Sequence, residues 1–208
     1  GTNNALRISS EFLGVQKGSA GVSIAYKLSH QPGAKIEVSM EDIEDAVKWV
    51  QEHAEELNIN PKSFGFCGQS AGAHLSAASA MTIKGAKAMV GYAGPYNFLT
   101  CNDGVVNTND KKRTSYFHNL DKDVLEAYSP VYMIPKKNIP ATLLFHGTGD
   151  CLVDYTQSEE YAEALRQKGG EVDLRIYPFY DHNLHGQRSD IGHELLVITA
   201  DFFDKHLK

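Results

Sequence analysis

Short apolar runs alternate with longer amphipathic stretches along almost the whole chain. That rhythm admits few architectures, the main one being a parallel sheet buried on both faces, with its strands joined by helical crossovers. The runs Val22-Ser23-Ile24-Ala25-Tyr26, Ser63-Phe64-Gly65-Phe66-Cys67, Ala88-Met89-Val90-Gly91-Tyr92 and Ala141-Thr142-Leu143-Leu144-Phe145 read as strands, as do the alternating residues 172–177. Residues 39–57 predict a helix capped by Ser39, because Ile43, Ala46, Val47 and Val50 recur at three- and four-residue spacing. The Ala-rich residues 70–81, residues 156–168 ending at Gly169-Gly170, and residues 194–206 predict three more helices. Asn60-Pro61 breaks the chain, and residues 102–113, rich in Asn, Asp, Gly and Lys, predict a loop. No repeat or linker interrupts the pattern. Residues 1–208 are therefore expected to form one α/β domain around a mostly parallel sheet of about five strands.

Composition removes several functional classes. A chain of 208 residues buries roughly 70% of its unfolded surface, so its core needs neither metal nor disulfide. Twenty Lys and Arg against 26 Asp and Glu give a formal charge of −6, which argues against binding nucleic acid through its phosphates. No apolar stretch reaches the ~18–20 residues that span a bilayer. The three cysteines, Cys67, Cys101 and Cys151, include no C-x-x-C pair, so neither a disulfide scaffold nor a structural zinc site is indicated. Cys101 and Cys151 follow neighbouring strands and are expected either as two thiols or as one bridge. A bridge would belong to an oxidising compartment, which tilts the expected location toward secreted or periplasmic rather than cytoplasmic.

Gly68-Gln69-Ser70-Ala71-Gly72 fits G-x-S-x-G, and it follows a hydrophobic strand and opens an Ala-rich helix. A nucleophilic serine needs that strand–turn–helix setting. The glycines are expected to leave room where a Cβ would crowd the turn. The Ala71 amide, at the helix N-terminus, is the expected donor to a developing oxyanion. The competing reading is a serine that only caps the helix.

Asp150 lies just past the fourth strand in His146-Gly147-Thr148-Gly149-Asp150, and His182 follows the last strand, beyond Tyr177-Pro178. Both fall at the carboxyl end of the sheet, where catalytic groups collect. The order Ser70, Asp150, His182 is the one used by α/β-hydrolases. His182 would remove the serine proton, and Asp150 would hold the imidazole tautomer and stabilise the cation. His185 competes as base and Asp154 as acid. His74 and His146 read as structural. Asp181-His182-x-x-His185 lacks the further ligands a metal site needs, so no metal or organic cofactor is expected. Gln69 and Tyr96 are candidate substrate-binding residues, with Tyr92 and Phe98 either beside them or in the core.

The segments Tyr26-Lys27-Leu28-Ser29, Val38-Ser39-Met40-Glu41-Asp42, Lys48-Trp49-Val50 and Asn58-Ile59-Asn60-Pro61 resemble the approach to the nucleophile in the esterase/lipase branch of the α/β-hydrolase superfamily. Residues 68–72, residues 146–150 with Val153 and Gln157-Ser158, and Tyr177-Pro178 with His182 resemble its three catalytic segments. The resemblance runs from about Asn4 to the end. It implies Ser70 as nucleophile, Asp150 as acid, His182 as base and the Ala71 amide as an oxyanion donor. Members of that family also carry a His-Gly-Gly-type loop after an earlier strand, whereas here residues 1–4 lead straight into what resembles the following helix, residues 5–16. The chain is therefore expected to be N-terminally truncated, or to receive the strand in trans by oligomerising, since a gap inside a sheet leaves backbone groups unpaired. The implied function is a serine carboxylic-ester hydrolase acting through an acyl-enzyme on a small ester, short-chain or sugar-linked. A serine peptidase of the same fold and a binding protein that has lost turnover are its rivals.

Overall fold

The structure, a computed structural model, describes residues 18–101, 111–186, 188 and 191–208. Four strands, β1 (Phe64–Gln69), β2 (Ala86–Tyr92), β3 (Ala141–Gly147) and β4 (Val172–Tyr177), lie side by side in chain order, and every pairing is parallel. Alternation along the strands sorts side chains to two faces. Phe66, Met89 and Leu144 enter one apolar cluster, while Ala88, Val90, Leu143 and Phe145 enter the other. With both faces covered, β3 has no exposed residue. This explains why its sequence is continuously apolar instead of alternating.

Helix α1 (Ile36–Glu52) lays Ile36, Ser39, Ile43 and Val47 as one buried stripe against the first cluster. It begins one turn before the expected Ser39 cap. Lys35 occupies the extended capping position, and the Ser39 hydroxyl instead donates to Lys27 O at 2.7 Å and accepts from the Tyr116 hydroxyl at 2.8 Å. Helix α2 (Ala71–Thr82) is buried from Ala73 to Met81, its small residues letting it sit closely on β1 and β2. The crossover from β2 to β3 contains α3 (Lys111–Tyr116), a 3₁₀ turn (His118–Leu120), α4 (Lys122–Ala127) and α5 (Pro130–Met133). These short helices carry too few turns to show a period in the sequence. Helix α6 (Thr156–Gln167) ends where expected, with Gly169 at φ +82° and the Gly170 amide donating to Leu165 O at 2.8 Å. Helix α7 (Ile191–Leu207) covers the opposite face, where Ile191, Leu195 and Phe203 join the second cluster. Gly65 permits that approach, because a Cβ there would stand 2.7 Å from the Phe203 ring.

One expected strand is not formed. Residues 22–26 join no ladder, so the described sheet has four strands, not five. Val22 is exposed, Ile24 and Tyr26 pack on the first cluster, and Lys27 is held by side chains of α1, its amide donating to Asp42 at 2.8 Å. The segment is anchored by packing and side-chain bonds, and β-rich composition alone does not supply a ladder partner. The helix expected over residues 5–16 lies outside the described residues, as does most of the 102–113 loop, whose described end is helical from Lys111. No helix among the described residues is long and apolar enough to cross a membrane. Cys67, Cys101 and Cys151 form no disulfide, so the alternative of two thiols at Cys101 and Cys151 holds, and no bridge argues for an oxidising compartment.

His74, buried in α2, bonds through Nε2 to Tyr128 O at 2.7 Å and packs on the Phe98 ring, which makes it structural as expected. Burial lowers its pKa to about 4, partly offset by that backbone bond. The unfolded chain takes this proton first, so stability falls as pH drops from the unfolded value near 6.5 toward 4. The loss should reach on the order of 3 kcal/mol. Thermal unfolding of His74→Gln should be correspondingly flatter over that window; parallel pH curves for the two proteins would refute the assignment.

Candidate active site

Parallel register brings the carboxyl ends of the strands to one edge: Gln69 pairs with Tyr92, Tyr92 with Phe145, and Gly147 with Tyr177. Ser70, Asp150 and His182 all follow strand ends on that edge, after β1, β3 and β4 respectively.

Ser70 joins β1 directly to α2 with φ +55° and ψ −124°. A residue bearing a Cβ holds such angles at a cost of about 1–3 kcal/mol, and does so only where its surroundings impose them. Here the Ser70 amide is tied to Tyr92 O at 2.8 Å, and its carbonyl accepts from the Ala73 and His74 amides at 2.9 and 3.1 Å. The side chain makes no capping bond, so the helix-cap reading fails. Gly68 is required by space, because a Cβ there would lie 2.2 Å from Gly72 O. Gly72 differs from expectation: among the described residues nothing lies within 4 Å of the place its Cβ would take. Ala71 is exposed at the first position of α2, where amides have no intrahelical acceptor.

The Asp150 side chain is 0% exposed and that of His182 14%. His182 Nδ1 donates to Asp150 Oδ2 at 2.7 Å, which leaves Nε2 of the neutral ring as the basic nitrogen. Oδ1 accepts the Leu152 and Val153 amides, each at 2.9 Å, and His146 Nε2 stands 3.1 Å from Oδ2. Burial alone would raise the Asp150 pKa. Bonds from His146, Val153, His182 and Leu152 outweigh it and hold the carboxyl well below the usual range. Asp150 is thus an anion across the neutral range.

The acid and base loops are stitched together. Thr148 and Gly149 amides donate to Tyr177 O and Tyr180 O at 3.0 and 2.9 Å, and the Phe179 amide donates to Thr148 Oγ1 at 2.9 Å. Asp181 closes the base loop on itself, accepting from the Asn183 and His185 amides at 2.9 and 2.8 Å. Gly147 lets the loops touch, since a Cβ there would fall 2.1 Å from Tyr180 O. Gly147→Ala should cost about 1–3 kcal/mol as the backbone gives way. A melting temperature equal to that of the parent would show that the loops have slack.

The competing residues have other employment. Exposed His185 faces Asp181 at 3.7 Å, and Asp154 Oδ1 accepts from the Thr156 amide and hydroxyl at 2.9 and 2.7 Å, opening α6. No metal-ligand cluster occurs among the described residues. Gln69 ties the serine turn to the base loop, its Nε2 donating to His182 O at 3.2 Å and Asn183 Oδ1 at 3.3 Å. Tyr96 does not line an open cleft. It is fully buried and stacked on Tyr161 at 4.6 Å, with Gln157 Oε1 accepting its amide at 3.0 Å. Tyr92 stacks on Phe145, and Phe98 is core. The contacts of His146 and Asp181 were not foreseen: a histidine before a glycine turn carries no sign of its partner, although the Asp181-x-Asn183 spacing is a turn signal.

A family model described as BD-FAE matches residues 3–165. The chain is 26% identical over 197 residues to a protein of Oryza sativa subsp. japonica named probable isoprenylcysteine alpha-carbonyl methylesterase ICMEL1, covering 80% of this chain and 46% of that one. It is 27% identical over 207 residues to the acetylxylan esterase of Xylanibacter ruminicola, covering 89% of this chain and 40% of that one. The chain thus spans less than half the length of these two relatives. A solved structure described as a truncated form of carbohydrate esterase from gut microbiota superposes with a TM-score of 0.80 at 21% identity, covering 98% of this chain and 81% of that chain, and shares the fold. The strand order, the turn at Ser70 and the matched residues agree: this chain belongs to the BD-FAE family, within the esterase/lipase branch of the α/β-hydrolase superfamily.

Proposed function

We propose that the chain is a serine carboxylic-ester hydrolase. His182 Nε2 takes the Ser70 proton as Oγ attacks the ester carbonyl, and the Ala71 amide receives the oxyanion. Collapse breaks the bond to the alcohol, which leaves with the proton held by His182. Water, deprotonated in turn by His182, then releases the acid from the acyl-enzyme and restores Ser70. Asp150 holds the imidazole tautomer and offsets its transient charge. The observation that carries this reading is the 2.7 Å bond from His182 to buried Asp150, on a base loop tied to Gln69, the residue beside Ser70. Relatives named as a methylesterase and an acetylxylan esterase support small acyl or alkyl groups, including sugar-linked acetyl. Release of p-nitrophenol from its acetate and of acetate from acetylated xylan tests this, with a p-nitroanilide as the amide control. Turnover of esters with labelling by a fluorophosphonate is expected. Preference for the anilide would favour a peptidase, and inertness toward label and esters would overturn the reading.

A further inference from the structure

Asp150 Oδ2 serves two imidazoles at once, His182 Nδ1 at 2.7 Å and His146 Nε2 at 3.1 Å. His146 is fully buried at the end of β3. The Val153 carbonyl, 3.0 Å from Nε2, can only accept, so Nε2 carries a proton, while Nδ1 lies 2.7 Å from the Ser158 hydroxyl. The ring is therefore held at both nitrogens. Orientation of the carboxylate does not need it, because the Leu152 and Val153 amides already hold Oδ1. What His146 adds is a donor on the oxygen that faces the base. A donor to a carboxylate stabilises its charge and weakens its pull on another proton.

We propose that His146 is a positioning residue that acts through Asp150: it shares Oδ2 with His182, draws charge away from that bond and makes His182 harder to protonate. This rests on the reading of Asp150 and His182 as acid and base. It leaves the charge of Asp150 divided between two rings, in an acid that does not take the proton itself. The other charged groups nearby are Asp154, whose carboxylate feels both His146 and Asp150, and the exposed Asp181–His185 pair on the base loop. Replacing His146 removes none of these groups, although Asp154 loses the influence of the His146 ring on its carboxylate.

NMR titration of His182 in the parent, His146→Phe and His146→Gln proteins tests the proposal. Phe removes the donor, and the proton affinity of His182 should rise about three- to tenfold, roughly half to one pH unit. Gln sets an amide donor near the place of Nε2, and should return the midpoint to within about twofold of the parent. In active protein the acid limb of kcat/KM should move by the same amount. An unchanged or lowered affinity in the Phe variant, or no return with Gln, overturns the proposal. Should the Phe variant not fold, the parent decides: the His146 Nε2–H resonance must shift with the His182 midpoint, and a signal indifferent to it is a refutation. Titration needs no turnover, so failure of ester hydrolysis and failure of this proposal are read separately.

Discussion

Ser70→Ala is expected to lose fluorophosphonate labelling altogether and to lower ester kcat/KM by at least ~10⁴-fold. No other described hydroxyl combines a position at the carboxyl edge of the sheet with a first-turn helical amide beside it and a link to the base loop. The same residue makes a second, opposite-signed prediction. With φ at +55°, Ser70 holds a conformation that glycine adopts without steric cost. Ser70→Gly should therefore be as inactive as the alanine variant yet more stable by about 1 kcal/mol, because it releases strain that Ala retains. Calorimetry on the three proteins separates the effects. A glycine variant no more stable than the alanine one would mean that the turn stores nothing.

Asp150→Asn should be almost as damaging to activity, by about 10³–10⁴-fold. The carboxylate accepts four donors and donates none: His182 Nδ1, His146 Nε2 and the amides of Leu152 and Val153. An amide of the same shape must turn its NH₂ toward at least one of them. If it faces Oδ2's partners, His182 is driven to the wrong tautomer; if it faces Oδ1's, two backbone donors are opposed. Stability should fall at neutral pH by about 1.5–3 kcal/mol, the worth of bonds to a charged group. The linkage has a definite sign. The folded pKa of Asp150 is depressed, so its contribution is complete above the unfolded value near 4 and fades as pH falls below it. The gap between parent and variant should thus narrow in acid. A gap that stays constant from pH 7 to pH 3 would show that the charge of Asp150 is not what the site stabilises.

Much of this arrangement was legible in the residues. β3 and β4 announce themselves by apolar or β-branched runs, and α2 and α6 by composition and by the Gly169 stop. Local rules suffice there because each element is long enough to carry its own period. They fail at residues 22–26, which have strand composition but no ladder partner among the described residues, and at Ser39, whose hydroxyl found its acceptor, Lys27 O, and its donor, the Tyr116 hydroxyl, in tertiary structure instead of a helix end. They fail also at Tyr96, because an aromatic after a strand reads the same whether it borders solvent or stacks, as here, on Tyr161 from α6.

The amino-acid order alone determined the α/β class, the serine turn and the succession Ser70, Asp150, His182, since these depend on spacing along the chain. Which histidine meets the acid, and what else does, was decided only in three dimensions. Position along the chain ranks His182 ahead of His185 and sets His146 aside as structural, but hydrogen-bond partners follow from direction and distance. Parallel register carried two strand ends to one edge, and Gly147 let their loops touch. One carboxylate oxygen was thereby placed between His182 and His146, while His185 was left facing Asp181.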